Sequence, residues 1–92
     1  MSAYVVIEAT VRDQKARDHY GSQTGATLKE FGGEVIAFGP WRLLFGEPAY
    51  ENAMILRFPD KDTALAWYSS PAYQALLDLR SRALDCRFRL IG

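Results

Sequence analysis

Four short runs of β-branched and aromatic residues, parted by two helical stretches, leave this chain very few architectures. Tyr4 to Val11 alternates side chains suited to a strand, as do Glu34 to Phe38, Asn52 to Phe58 and Cys86 to Ile91. Asp13 is placed to cap a helix that runs to about Phe31. Its inward positions, at spacings of three and four, are Ala16, Tyr20, Gln23 or Thr24, Thr27 and Phe31. Gly21 and Gly25 weaken that helix by up to about 1 kcal/mol each, and Gly32-Gly33 supplies its left-handed stop. Gly39-Pro40 ends the second strand, and Trp41 to Phe45 reads as a short strand or extension before the turn-rich "GEPAYEN". The order is βαββαβ. It is the ferredoxin-like split βαβ, an α+β fold with a four-stranded antiparallel sheet and its helices on one face.

The second helical stretch, "FPDKDTALAWYSSPAYQALLDLR" from Phe58 to Arg80, contains its own break. Pro59 ends the third strand, Asp60 can cap the next helix, and Asp62 adds negative charge to a first turn where the dipole favours it. Ala64, Trp67 and Tyr68 point inward. Ser70-Pro71 then pairs a capping residue with an N1 proline, so one helix stops and another begins at once. That helix is predicted from Ala72 to about Leu84, burying Leu76, Leu79 or the stem of Arg80, and Ala83.

A length of 92 residues makes one domain, residues 1–92, with a thin core for which oligomerisation is a common remedy. The strand faces point to the same remedy. Val5, Ile7, Ala9 and Val11 share one face with Met54, Leu56, Phe58, Phe88 and Leu90. The other face mixes Tyr4, Val6, Ile55 and Ile91 with Glu8, Arg57, Arg87 and Arg89, which is more apolar than the open face of a monomer usually is. A face-to-face homodimer covers it.

Charge and cysteine usage exclude several functions. Eleven basic residues balance eleven acidic ones, so the electrostatic footprint of a nucleic-acid binder is missing. Cys86 is the lone cysteine, so neither an intrachain disulfide nor a cysteine metal cage can form, and a reducing cytoplasm suits it. The start "MSAYVVIEATV" lacks the basic opening of a signal peptide, and no apolar run approaches the roughly 20 residues that span a bilayer. Gly32-Gly33 precedes a strand rather than a helix, so there is no phosphate cradle. No cofactor is expected.

With "FGGEVIAFG" upstream and "FGEPAYEN" between, the Phe58–Arg80 stretch resembles the family catalogued as domain of unknown function 1330. The motif is Phe-Pro before the helix, then Ala, Trp-Tyr, Ser-Pro and Tyr-Gln at these spacings, and the likeness runs over essentially the whole chain. Asp60 stands where serine is commoner, and Arg57 where an acidic or apolar residue is more usual. The resemblance implies a dimeric α+β barrel, in which two ferredoxin-like sheets face each other. It implies no reaction.

The candidate site residues fall into two groups. His19, the single histidine, suits a general base, and its neighbour Tyr20 could polarise a substrate; one histidine without a carboxylate pair makes no metal site. Tyr20, Trp67, Tyr68 and Tyr73 project from helices towards one sheet face, either as core packing or as the walls of an amphipathic pocket. Glu8, Arg57 and Arg89 share the other face, where they form either a structural ion pair or a hold for an anionic ligand. Ser70 reads as a cap and Cys86 as a small apolar filler. Two functions remain open: a dimer that binds or converts a small carbonyl or phenolic compound between helices and sheet, and a non-catalytic ligand-binding or structural module.

Overall fold

The period-two runs pair as their faces require. In the computed structural model, which describes residues 1–47 and 49–92, the elements are β1 (Ala3–Val11), α1 (Gln14–Glu30), β2 (Glu34–Pro40), β3 (Asn52–Phe58), α2 (Lys61–Ser69), α3 (Pro71–Gln74), α4 (Leu77–Ala83) and β4 (Leu84–Ile91). The sheet is antiparallel throughout, in the order β2-β3-β1-β4. Val5 sits between Leu56 and Leu90, and Ile7 between Met54 and Phe88, which builds the apolar face that meets the helices. On the reverse face Tyr4 lies between Arg57 and Ile91, Val6 between Ile55 and Arg89, and Glu8 between Ala53 and Arg87. The two faces divide the residues as the alternation predicts.

The caps are those the sequence places. The Asp13 carboxylate accepts from the Ala16 amide at 3.2 Å, and the Asp60 carboxylate from the Thr63 amide and hydroxyl, both at 2.7 Å. Gly32 turns the chain out of α1 with a φ of 67°. At the break, the Ser70 hydroxyl donates to the Trp67 carbonyl at 2.7 Å and accepts from the Tyr73 amide at 3.2 Å, with Pro71 at the first helical position. The Ser-Pro step is therefore a cap.

Three expectations need correction. Of the two readings for Trp41 to Phe45, the short strand fails and the extension holds: among the described residues no neighbouring strand takes up its backbone, apart from Trp41 donating to the Glu51 carbonyl at 3.2 Å, and Leu44 and Phe45 are 92% and 98% exposed. Pro48, within the turn-rich stretch, lies outside the described residues. The helix read as continuous from Ala72 is two segments, because the Leu76 amide bonds to the Tyr73 carbonyl at 2.9 Å and tightens the turn. β4 accordingly starts at Leu84, not Cys86. In α1 the buried stripe is Tyr20, Thr27 and Leu28; Thr24 is half-buried and Gln23 exposed. The core gathers on Leu56, Phe58, Trp67 and Tyr73, all with side chains enclosed. Among the described residues no helix is long and apolar enough to cross a membrane.

Candidate functional site

Between α1 and the helix side of β1 and β3 lies a cavity of about 460 Å³, within the range of small-molecule sites. Its floor is apolar, set by Ile7, Met54 and Leu56. Its wall includes two glycines that sequence reasoning counted only as helix weaknesses. Gly21 and Gly25 are four apart on α1, border the cavity, and a Cβ at either would meet nothing within 4 Å. The stretch keeps two residues of low helix propensity where alanine would fit. The open space beside them adjoins the candidate site.

Tyr20 borders the same cavity and carries a chain of buried hydrogen bonds away from it. Its hydroxyl lies 2.6 Å from that of Tyr73, and Arg80 donates to Tyr73 at 3.0 Å and to Tyr68 at 3.1 Å. These groups come from α1, α3, α4 and α2, which the Ser70-Pro71 break allows to converge. Burial raises the Tyr20 hydroxyl well above the ordinary phenol range and raises that of Tyr73 as well, so both stay protonated at neutral pH. Burial works against the charge on Arg80, but the hydrogen bonds it donates to the Tyr68 and Tyr73 oxygens outweigh it and hold the guanidinium ionised. Trp67 also borders the cavity; its indole N–H donates to the Thr27 hydroxyl at 3.0 Å, and its ring packs 5.3 Å from Phe58 and 4.4 Å from Tyr73. Thr27 passes its own hydrogen to the Thr24 carbonyl at 2.7 Å, which closes that branch.

The structure brings Tyr20, Trp67, Tyr68 and Tyr73 into one cluster, of which Tyr20 and Trp67 reach the cavity wall. His19 is exposed and does not border the cavity. Glu8, Arg57 and Arg89 lie across the sheet from it. There Glu8, 8% exposed, accepts from Arg89 at 2.7 Å and from Arg87 at 3.0 Å, while Arg57 pairs with Glu34. A second hollow, about 730 Å³, opens beside Glu8 under the Trp41–Glu51 segment. Among the described residues no cluster of histidine, cysteine or carboxylates could hold a metal ion. Burial pushes the Cys86 thiol up, away from the thiolate form. The residue that sequence reasoning missed is Arg80. Its signal was present: Tyr73, Leu76, Arg80 and Ala83 are spaced three, four and three apart, which puts a charge into an inward stripe.

No curated protein matches the chain. Among solved structures, a protein of unknown function from Rhodopseudomonas palustris, RPA0582, superposes with a TM-score of 0.80 at 19% identity, covering 98% of this chain and 80% of that one. A dimeric ferredoxin-like protein of unknown function from Jannaschia sp. gives 0.74 at 16% identity over 100% and 99%. SnoaB, a cofactor-independent oxygenase from Streptomyces nogalater, gives 0.72 at 13% over 99% and 91%. At these identities the likeness shows the ferredoxin-like fold alone. The model of the domain of unknown function DUF1330 matches residues 2–92, and the chain belongs to that family.

Proposed function

We propose that this chain forms a homodimer through its helix-free sheet face and binds or converts a small carbonyl or phenolic compound in the cavity beneath α1. The observation that carries the ligand reading is Tyr20, a buried tyrosine at the wall of a mainly apolar cavity that Gly21 and Gly25 also border. Met54, Leu56 and Trp67 offer apolar surface to an aromatic ring, and Tyr20 offers a hydroxyl to an oxygen on it. The dimer reading rests on Val6 and Ile55 on the open face, on the exposed apolar side chains of Trp41 to Phe45 beside it, and on the described dimers among structural neighbours. Such a dimer leaves the cavity accessible, since the two lie on opposite faces. A lone, half-buried Cys86 suits a cytoplasmic home.

One observation favours the non-catalytic version. Among the described residues the cavity wall contains no histidine, cysteine or carboxylate, and His19 is outside it, so none of these usual proton acceptors faces the ligand space. The test is a nuclear magnetic resonance titration with a panel of phenols and aryl ketones. Binders should shift the amides of Gly21, Thr24 and Gly25, and Tyr20→Phe should weaken them about three- to tenfold, the worth of one hydrogen bond. A panel that leaves these amides unmoved, or moves only residues around Glu8, refutes the reading.

A further inference from the structure

Arg80 is the group least explained by packing. It is half-buried, and among the described residues no carboxylate forms an ion pair with it. Its guanidinium lies 4.7 Å from the Phe88 ring centroid, 5.7 Å from that of Tyr68 and 5.9 Å from that of Tyr73. Rings and phenol oxygens soften the cost of burying a cation, but they carry no opposing charge.

Hydrogen-bond chemistry gives the chain a direction. A guanidinium only donates, so the Tyr73 oxygen must accept from Arg80. Among the described residues, the hydrogen of Tyr73 then has one acceptor in the chain, the Tyr20 oxygen at 2.6 Å. The 2.6 Å separation admits either donor, and the arrangement that gives the Tyr73 hydrogen an acceptor has Tyr20 accept it, which leaves the Tyr20 hydrogen for a ligand. Of the three tyrosines joined by these hydrogen bonds, Tyr20 alone borders the cavity. Among the described residues the wall there holds no Asp, Glu, His or Lys, and its one charged side chain is Arg17, which lies 5.6 Å from the Phe38 ring and already pairs with the Asp18 carboxylate at 3.5 Å. The cation without a carboxylate partner is therefore Arg80, at the far end of the hydrogen-bond chain.

We propose that the cavity takes its ligand as a conjugated oxyanion, a phenolate or enolate that accepts the Tyr20 hydrogen, and that Arg80 is a positioning residue which orients that hydrogen through Tyr73 and supplies the opposing charge. This rests on the cavity being the ligand site. The ionisable groups around the hydrogen-bond chain are Tyr20 from α1, Tyr68 from α2, Tyr73 from α3, Arg80 from α4 and Cys86 from β4, with Arg17 on the cavity's other wall beside its partner Asp18.

The test uses 4-nitrophenol, whose phenol and phenolate forms differ in visible absorption, and 4-nitroanisole, which has the same skeleton and cannot ionise. Bound 4-nitrophenol should ionise at least about one pH unit below the free compound, which means that phenolate binds about tenfold more tightly than phenol. Arg80→Met should abolish that shift while the affinity for 4-nitroanisole stays within about twofold, and Arg80→Lys should restore part of it. Tyr73→Phe, which keeps the ring and cuts the chain, should behave as Arg80→Met does, and it carries the comparison if Arg80→Met does not fold. A full shift retained in Tyr73→Phe, or a shift lost instead in Arg17→Ala, overturns the assignment. Binding of 4-nitroanisole without any shift for 4-nitrophenol in the unmodified protein overturns this inference and spares the cavity reading. Binding of neither probe overturns both.

Discussion

Replacing Gly21 and Gly25 by alanine should stabilise the protein and narrow its cavity together. Both lie well inside the Gln14–Glu30 helix, neither has a positive φ, and a Cβ at either meets no atom within 4 Å. The substitutions therefore carry only the helix-propensity gain, about 0.5–1 kcal/mol each, without a steric term. Together they should add about 1.5 kcal/mol, which for a domain of this size raises Tm by roughly 6–12 °C. Thermal melts followed by circular dichroism read this directly, at one fixed protein concentration because dimerisation makes Tm concentration-dependent. Gly25→Leu extends the test, since a larger side chain projects into the void and should expel aryl ligands while the fold holds. A lower Tm for the alanine pair would refute the claim that the glycines face empty space. Undiminished aryl binding in Gly25→Leu would place the ligand elsewhere.

Ile55→Glu puts an unpaired carboxylate into the proposed dimer face, a cost of about 3–5 kcal/mol, so sedimentation at micromolar concentration should change from dimer to monomer; an unchanged dimer refutes that face. Ser70→Ala removes the hydroxyl that accepts from the Tyr73 amide and should cost about 0.5–2 kcal/mol in urea unfolding; a neutral result means that the Ser-Pro step is not a cap. Alkaline pH gives an independent reading of the tyrosine pair. Folding raises the Tyr20 and Tyr73 hydroxyls above their ordinary 10.0, so their contribution is whole below pH 10 and declines as pH rises further, with a limiting slope of about 1.4 kcal/mol per pH unit for each. In an ultraviolet titration of the five tyrosines, these two should ionise only with unfolding; early ionisation of all five would show the pair to be open to water.

Strand faces were readable because period two leaves one face for each side chain, and a slip of one residue would put Glu8 among the helices. Caps were readable because Asp13, Asp60 and Ser70 act on amides three residues away, with no tertiary contact needed. The cavity was not readable in the same way. Its volume depends on how far α1 stands from the sheet, and glycines four apart look like a poor helix until a wall is seen opposite them. Trp41 to Phe45 has the composition of a strand, but pairing needs a partner edge, and β3 begins only at Asn52. His19 adjoins Tyr20 in sequence, yet one residue is more than a quarter turn of helix, enough to move it from the cavity side to solvent. Arg80 was hidden by its length: a long stem with a charged end usually reaches water, and only three rings and two phenols make a different end point.

The hydroxyl–guanidinium chain takes one group from each of the four helical segments, and the indole of Trp67 lies 4.4 Å from Tyr73 at its centre. It is complete only when every helix has docked on the sheet. The protein thus contains its own clock for the last step of folding. Far-ultraviolet dichroism reports helices as they form, whereas the near-ultraviolet bands of Trp67 and its tyrosine neighbours appear only once α1 meets α3 and α4. A compact intermediate with helices made but undocked retains the first signal and lacks the second. The lag between the two measures how long the cavity takes to close around its wall.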